Sequence, residues 1–231
     1  MTFKLILLRH GQSTWNASNI FTGWADVPLS NKGLQEARNA GLCLAESGVL
    51  PGVLHTSLLR RAINTAGIAL DVADRHWIAV KRSWRLNERH YGRLQGENKD
   101  DAADKFGAEQ VRLWRRSYDV PPPAMESDVY TRQLEPRYYM NGSYVIPETE
   151  SLRDVMDRIE PYWRSDIIPD LKKGQTVLIV AHGNSLRALI KLLDNLSDEE
   201  TSEKEVPTGI PILYELSHEL QSTVRGGRLL D

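Results

Sequence analysis

The phrase KLILLRHG at residues 4–11 and its near-echo VLIVAHG at residues 177–183 constrain the fold of this chain more than any other feature. Each is a short continuous apolar run, the pattern of a strand buried on both faces, and each ends abruptly in a histidine followed by glycine. A strand covered on both faces needs a layer of helix on either side, and the intervening sequence supplies it. Ser30 precedes a helical pattern carrying Leu34, Ala37, Gly41 and Leu44 that ends near Gly48; residues 52–57 read as a strand; Leu59, Ala62, Ile63, Ala66 and Leu70 recur at helical spacing. Residues 77–80 form a further short strand. Leu152, Val155, Met156, Ile159 and Trp163 mark a helix that should stop around Pro169, another helix follows His182, and residues 211–216 give a last strand. Alternation of this kind implies βαβ units with right-handed crossovers. The expected fold class is therefore α/β, a three-layer sandwich with a mainly parallel central sheet flanked by helices.

Residues 1–231 read as a single domain, a length ample for a proper core. Residues 117–148, rich in proline, tyrosine and charge, keep no period of 2 or 3.6 and stand out as a long irregular lid-like insertion. A net charge of −2 argues against a nucleic-acid or anionic-membrane partner recognised by bulk electrostatics. Cys43 is the single cysteine, and no apolar run approaches membrane-spanning length, so the expected compartment is the cytoplasm.

Open parallel sheets bind ligands beyond the carboxyl ends of their strands. At those ends the sequence places Arg9 and His10; Ser57, Arg60 and Arg61; Arg85, Glu88, Arg89 and His90; and His182 with Asn184. Any one of these has an ordinary structural explanation, and His55, His76, His90 and His218 read as structural. The convergence of two His-Gly pairs with arginines is different. Arginine forks match phosphate oxygens, so Arg9 and Arg61 point to a phosphoryl group held between them. A neutral imidazole there, its proton fixed by a backbone carbonyl, is a competent nucleophile toward phosphorus; a protonated second histidine would stabilise the transferring charge. Glu88 is the candidate general acid and base. Metal is disfavoured, because arginines around two histidines and a glutamate would repel a cation. Glycine-rich nucleotide loops are absent from the sequence.

LRHGQSTWN (8–16), FTGWADVPLS (21–30), TSLLRRAINTA (56–66), LNERHYGRLQGENK (86–99), WRRSYDVPPP (114–123), IPETESL (146–152), AHGNSLRALIK (181–191) and VPTGIPILYEL (206–216) together resemble the cofactor-dependent phosphoglycerate mutases, a branch of the histidine phosphatase superfamily. The resemblance implies that His10 is the phosphohistidine nucleophile and Glu88 the proton donor and acceptor, with Arg9, Arg61 and His182 completing the phosphate pocket. It implies polar contacts from Gly11, Ser13, Asn16, Thr22, Gly23, Gly183 and Asn184. Tyr91, Lys99, Arg115 and Arg116 would hold the glycerate carboxylate and second phosphate, and Arg89 and His90, beside Tyr91, are counted with the substrate-binding residues. The implied reaction interconverts 3-phosphoglycerate and 2-phosphoglycerate, primed by 2,3-bisphosphoglycerate without metal, in a homodimer or homotetramer. Residues 117–148 are expected to cover the pocket. The residues after YEL differ from the tail that closes the site in the family, so raised phosphatase side-activity is expected. The competing readings are a phosphatase of the same superfamily and a non-enzymatic phosphate-recognition module.

Overall fold

A computed structural model describes residues 2–132 and 134–230, with the side chains of Tyr130 and Arg132 outside the description. The central sheet runs β3 (Ala79–Arg82), β2 (Val53–Thr56), β6 (Val177–Ala181), β1 (Phe3–Arg9), β7 (Pro211–Leu216) and β8 (Arg228–Leu229) in spatial order, with β4 (Tyr139–Met140) and β5 (Ser143–Tyr144) forming a separate hairpin. β3, β2, β6 and β1 are parallel, while β7 runs antiparallel to β1 and β8 antiparallel to β7. The two apolar phrases are neighbours: Leu8 lies opposite Val180 and Arg9 opposite Ala181. That register places His10 and His182 side by side as the strands end, and His10 N–H donates to the Ala181 carbonyl at 3.0 Å.

Leu5 and Leu7 face one apolar layer and Ile6 and Leu8 the other, as strand alternation requires. The first layer is filled by the helices Leu152–Tyr162 and Gly183–Asp194, the second by Asn31–Ser47 and Arg60–Val72. The helix over residues 31–47 starts and stops as its sequence indicates: Ser30 Oγ accepts from Gly33 N–H, and Gly48 adopts a left-handed φ of 67°.

Three boundaries depart from the sequence reading. β3 begins at Ala79, not Trp77, because a turn with Ile78 N–H on the Arg75 carbonyl uses up the preceding residues. Trp77 is left 67% exposed. The helix expected to end at Pro169 continues through a wide π turn, Trp163–Ile167, into Ile168–Lys172. The proline is tolerated because the ladder is already reorganised there, with Ile168 N–H bonding to Trp163 O. The wide turn also sets a register. Eight residues advance about 80° beyond two turns of α-helix, and one extra residue in a π turn cuts this to a misalignment of about 20°. Tyr162 and Asp170 consequently both reach buried His55, at 2.9 Å to Nδ1 and 3.0 Å to Nε2.

The third departure concerns residues 117–148. They contain the short helix Ser127–Arg132, a 3₁₀ turn at Pro136–Tyr138 and the β4–β5 hairpin. Tyr138 and Ile146 form a small apolar cluster with Trp24, and Arg137 pairs with Asp26 at 2.9 Å. The residues after β7 turn back so that β8 pairs with β7 and Leu230 enters the core.

Candidate active site

One cleft gathers the strand ends. It is lined by Arg9, His10, Asn16, Thr22, Gly23, Arg61, Glu88, Tyr91, Lys99, Arg115, Arg116, Gly183 and Asn184, together with Ile20, Phe21, Arg187 and Glu205. Six cations and two carboxylates face it, a charge balance suited to a polyanion.

At its floor His10 is buried, and its Nδ1 lies 2.6 Å from the Gly11 carbonyl. A carbonyl only accepts, so Nδ1 carries the proton and Nε2 keeps its lone pair. Arg61 Nε–H donates to that Nε2 at 3.3 Å, which is consistent with the same tautomer. Burial first, then the charges of Arg61 and Arg9, hold the His10 pKa well below the ordinary 6.5. The imidazole is thus neutral and nucleophilic near neutral pH.

Arg61 projects from the first turn of its helix, where the macrodipole disfavours a cation. Its fork is held by the Gly23 and Ala25 carbonyls, both at 2.8 Å, and burial pulls its pKa down to about 10, leaving it charged at neutral pH. Arg60 instead turns outward to Asp26. Arg9 donates to the Val206 carbonyl at 2.8 Å, and its buried Nε has no partner among the described residues. A Cβ at Gly183 would lie 3.4 Å from the Arg9 guanidinium, in van der Waals contact with it.

Glu88 Oε1 accepts from Arg89 N–H at 2.8 Å and from Asn184 N–H, at the start of the Gly183–Asp194 helix, at 3.1 Å. Its backbone carbonyl is fixed by Trp24 Nε1 at 2.6 Å and Arg158 Nη2 at 3.0 Å. Arg158 also forms a buried pair with Glu150, which accepts His90 N–H at 2.8 Å. The outer half of the cleft is strongly cationic. Lys99 is lowered from its ordinary pKa by burial, with Arg115 and Arg9 adding to the shift against Tyr91. Burial pushes Tyr91 up, but the charge and hydrogen bond of Arg89 together with the hydrogen bond to Asn184 leave it lowered.

Several expected site residues lie behind this surface. Ser13 Oγ caps a helical turn by accepting Asn16 N–H at 3.0 Å, and Asn16 Oδ1 accepts Ser13 N–H in return. Gly11 N–H is taken by Thr65 Oγ1 at 3.1 Å. Arg89 stacks on Tyr91 and donates to the Arg115 carbonyl, so it braces the outer cations. His90 Nδ1 accepts Gly92 N–H, a loop-shaping role. His182 lies beneath His10, ring centroids 4.8 Å apart, with Nε2 2.8 Å from Ser57 Oγ. Its expected protonation is not what the structure favours. Burial, then Arg61 and His10, put the His182 pKa well below 6.5 as well.

None of the described residues of 117–148 lines the cleft. The segment packs behind the Glu88 loop because its buried aromatic, Tyr138, meets Trp24 at 4.9 Å and bonds Asn87. The residues after β7 likewise pair with the sheet instead of lining the cleft. Two polar lining residues escaped sequence reasoning. Arg187 lies one helical turn after Asn184, and that i, i+3 spacing from a site residue was the available signal. Glu205 had none, since a glutamate among cations looks unfavourable there.

The family model of the histidine phosphatase superfamily (branch 1) matches residues 5–135 and 128–220. This chain belongs to that superfamily. It is 58% identical over 231 residues to a 2,3-bisphosphoglycerate-dependent phosphoglycerate mutase of Nocardioides sp. (strain ATCC BAA-499 / JS614), covering 100% of this chain and 94% of the relative. It is also 58% identical to the protein of that name from Nocardia farcinica (strain IFM 10152), covering 100% and 93%. Among solved structures, a mycobacterial glucosyl-3-phosphoglycerate phosphatase superimposes with a TM-score of 0.73 at 23% identity, over 98% of this chain and 97% of that one, which speaks to the fold alone. Bacillus stearothermophilus YhfR gives 0.73 at 25% identity, over 97% of both chains. Among the described residues of this member of the superfamily, no group of three or more His, Cys, Asp or Glu is placed to hold a metal, and no helix is long and apolar enough to cross a membrane.

Proposed function

We propose that this chain interconverts 3-phosphoglycerate and 2-phosphoglycerate through phospho-His10, primed by 2,3-bisphosphoglycerate. The observation that carries the reading is the placing of His10 Nε2, unprotonated on a neutral ring, in a cleft whose outer half holds Lys99, Arg115, Arg116 and Arg187. A phosphomonoester alone needs only the inner cations; a glycerate with two phosphates and a carboxylate needs the outer ones too. The buried, unpartnered Arg9 Nε and His182 Nδ1 suit phosphoryl oxygens as partners, which supports a fit to the bisphosphate primer.

In the transfer, the Nε2 lone pair attacks phosphorus as the ester P–O bond breaks. The departing alkoxide takes its proton from the Glu88 carboxyl. For return, Glu88 removes the proton from the other glycerate hydroxyl, whose oxygen attacks the phosphoryl group as the P–N bond breaks. Atoms and protons balance over the cycle. Arg9 and Arg61 meet the equatorial charge in both directions. The primer's contribution is to load His10 with a phosphoryl group.

A superfamily phosphatase is the second reading, and the outer cations argue against it. We assign the protein to the cytoplasm and to glycolysis and gluconeogenesis on its likeness to the mutases; assembly as a homodimer or homotetramer rests on that likeness too, and sedimentation reads it. The test is turnover of 3-phosphoglycerate with and without 2,3-bisphosphoglycerate, in the wild type and His10→Ala. Primer-dependent formation of 2-phosphoglycerate and acid-labile phosphate, both lost in His10→Ala, is the expected result. Release of inorganic phosphate without isomerisation would favour the phosphatase, and retained turnover in the variant would sink the mechanism.

A further inference from the structure

Glu205 is a carboxylate on the rim of a cleft otherwise built for anions, and its placement is fixed from both sides by cations of the site. Arg187 Nε donates to the carbonyl of Lys204 at 3.0 Å, and Arg9 Nη1 donates to that of Val206 at 2.8 Å. The residue between these two anchors points its side chain at Arg116, and the two form a salt bridge in which Arg116 is 32% and Glu205 68% exposed. Arg116 also reaches the Ser202 carbonyl at 3.5 Å, so the same short segment holds it twice. A free surface pair would need no such framing. Both partners line the cleft, and the bridge neutralises one of the outer cations.

We infer that Glu205 is a specificity-determining residue: it competes for Arg116 with the distal anionic group of the ligand, so the cleft discriminates among phosphate esters by the charge at their far end. The inference rests on the functional reading above. A ligand with a distal carboxylate or phosphate must displace Glu205 from Arg116 before it gains that contact, whereas inorganic phosphate, seated on Arg9, Arg61 and His10, meets no such competitor. The consequence is weaker retention of the polyanion and faster release, because one cation is already half-spent on an internal partner. Glu205 is exposed, so its replacement leaves the fold intact.

The test is calorimetric binding of 2,3-bisphosphoglycerate, 3-phosphoglycerate and inorganic phosphate to the wild type, Glu205→Gln, Arg116→Gln and the double variant. Removing a competing charge at a partly exposed pair should tighten the bisphosphate by about twofold to fivefold and change inorganic phosphate by less than about 1.5-fold. The gain should vanish in the Arg116→Gln background. Equal effects on all three ligands, no tightening, or a gain that survives loss of Arg116 would each overturn the inference. Failure of the wild type to bind 3-phosphoglycerate while it binds phosphate would instead overturn the functional reading.

Discussion

The support of Glu88 by Arg158 gives a perturbation whose size can be worked through. Arg158 meets Glu150 through Nε at 2.6 Å and Nη2 at 3.1 Å, and it donates to the carbonyls of Arg85, Asn87 and Glu88. The two side chains are 7% and 4% exposed. In Arg158→Met, among the described residues Glu150 keeps only His90 N–H and Glu88 O keeps only Trp24 Nε1. The variant therefore has a buried carboxylate stripped of its counter-charge and three carbonyls each short of one donor. Breaking a buried pair by removing one partner costs about 3–5 kcal/mol, against a total stability of ~5–15 kcal/mol. Arg158→Met should accordingly lower the urea midpoint sharply. Adding Glu150→Gln removes the stranded charge and should recover at least about 1 kcal/mol of the loss, a coupling typical of residues in contact. Because the Glu88 backbone loses one of its two anchors, kcat should fall at least about tenfold with KM for 3-phosphoglycerate nearly unchanged, as for a group acting mainly in the transition state. The measurements are urea titrations of the four proteins of the cycle and steady-state kinetics at a temperature where all are folded. A loss under about 1 kcal/mol, or strictly additive losses, would refute the reasoning that the pair is a buried unit.

Two further outcomes follow from the geometry. His10, His55 and His182 all have pKa values below 6.5, each chiefly through burial, so below that pH the unfolded chain binds protons that the folded chain does not. Stability should therefore fall as pH drops below 6.5, by up to about 1.4 kcal/mol per pH unit for each such histidine, and His10→Asn should show a shallower decline in urea titrations from about pH 7 to about pH 5. An equal or steeper decline in the variant would contradict burial of a neutral imidazole. Separately, a Cβ at Gly33 would stand 2.0 Å from the Gln12 carbonyl, a backbone atom that cannot swing aside. Gly33→Ala should displace the loop carrying His10 and reduce kcat far more than a helix-interior Gly→Ala exchange, which ordinarily stabilises by ~0.5–1 kcal/mol; unchanged kinetics would show the loop to be compliant.

The sheet was legible because the two-face burial of β1 and β6 leaves an unbroken apolar signature, and because an adjacent parallel register brings their ends together. The same logic placed His10, Arg61 and Glu88 at one cleft from strand ends alone. What the sequence concealed has physical causes. Pro169 reads as a helix stop, yet a π turn absorbs its missing N–H while turning Tyr162 and Asp170 onto His55. Gly33 carries no signal of its own within the helical pattern, and its meaning lies in the close approach of the Gln12 backbone. Residues 117–148 suggest a cover because they lack periodicity. Irregular backbone says nothing of direction, and Tyr138 and Arg137 direct the segment to the back of the Trp24–Glu88 region. Glu205 stayed hidden because the backbone anchors that aim it are contacts of Arg9 and Arg187, far away in the chain.

The two histidines show most clearly how structure changes the chemistry read from sequence. Similar His-Gly phrases with different roles invite the idea of opposite charges, one ring neutral and the other protonated. With six cations lining the cleft, a charged imidazole beneath it is disfavoured, and both rings titrate low. The distinction lies instead in what each ring meets. Gly11 O fixes the His10 proton on Nδ1 and leaves Nε2 unprotonated. His182 Nε2 lies 2.8 Å from Ser57 Oγ, a hydroxyl able to donate to it or accept from it, and its Nδ1 is buried with no hydrogen-bond partner among the described residues. In the tautomer with its proton on Nδ1, a neutral His182 would donate a hydrogen bond beside His10 without adding a charge, and full protonation would be needed only as a phosphoryl group brings negative charge into the site. One backbone carbonyl thus suffices to set the nucleophilic nitrogen of His10.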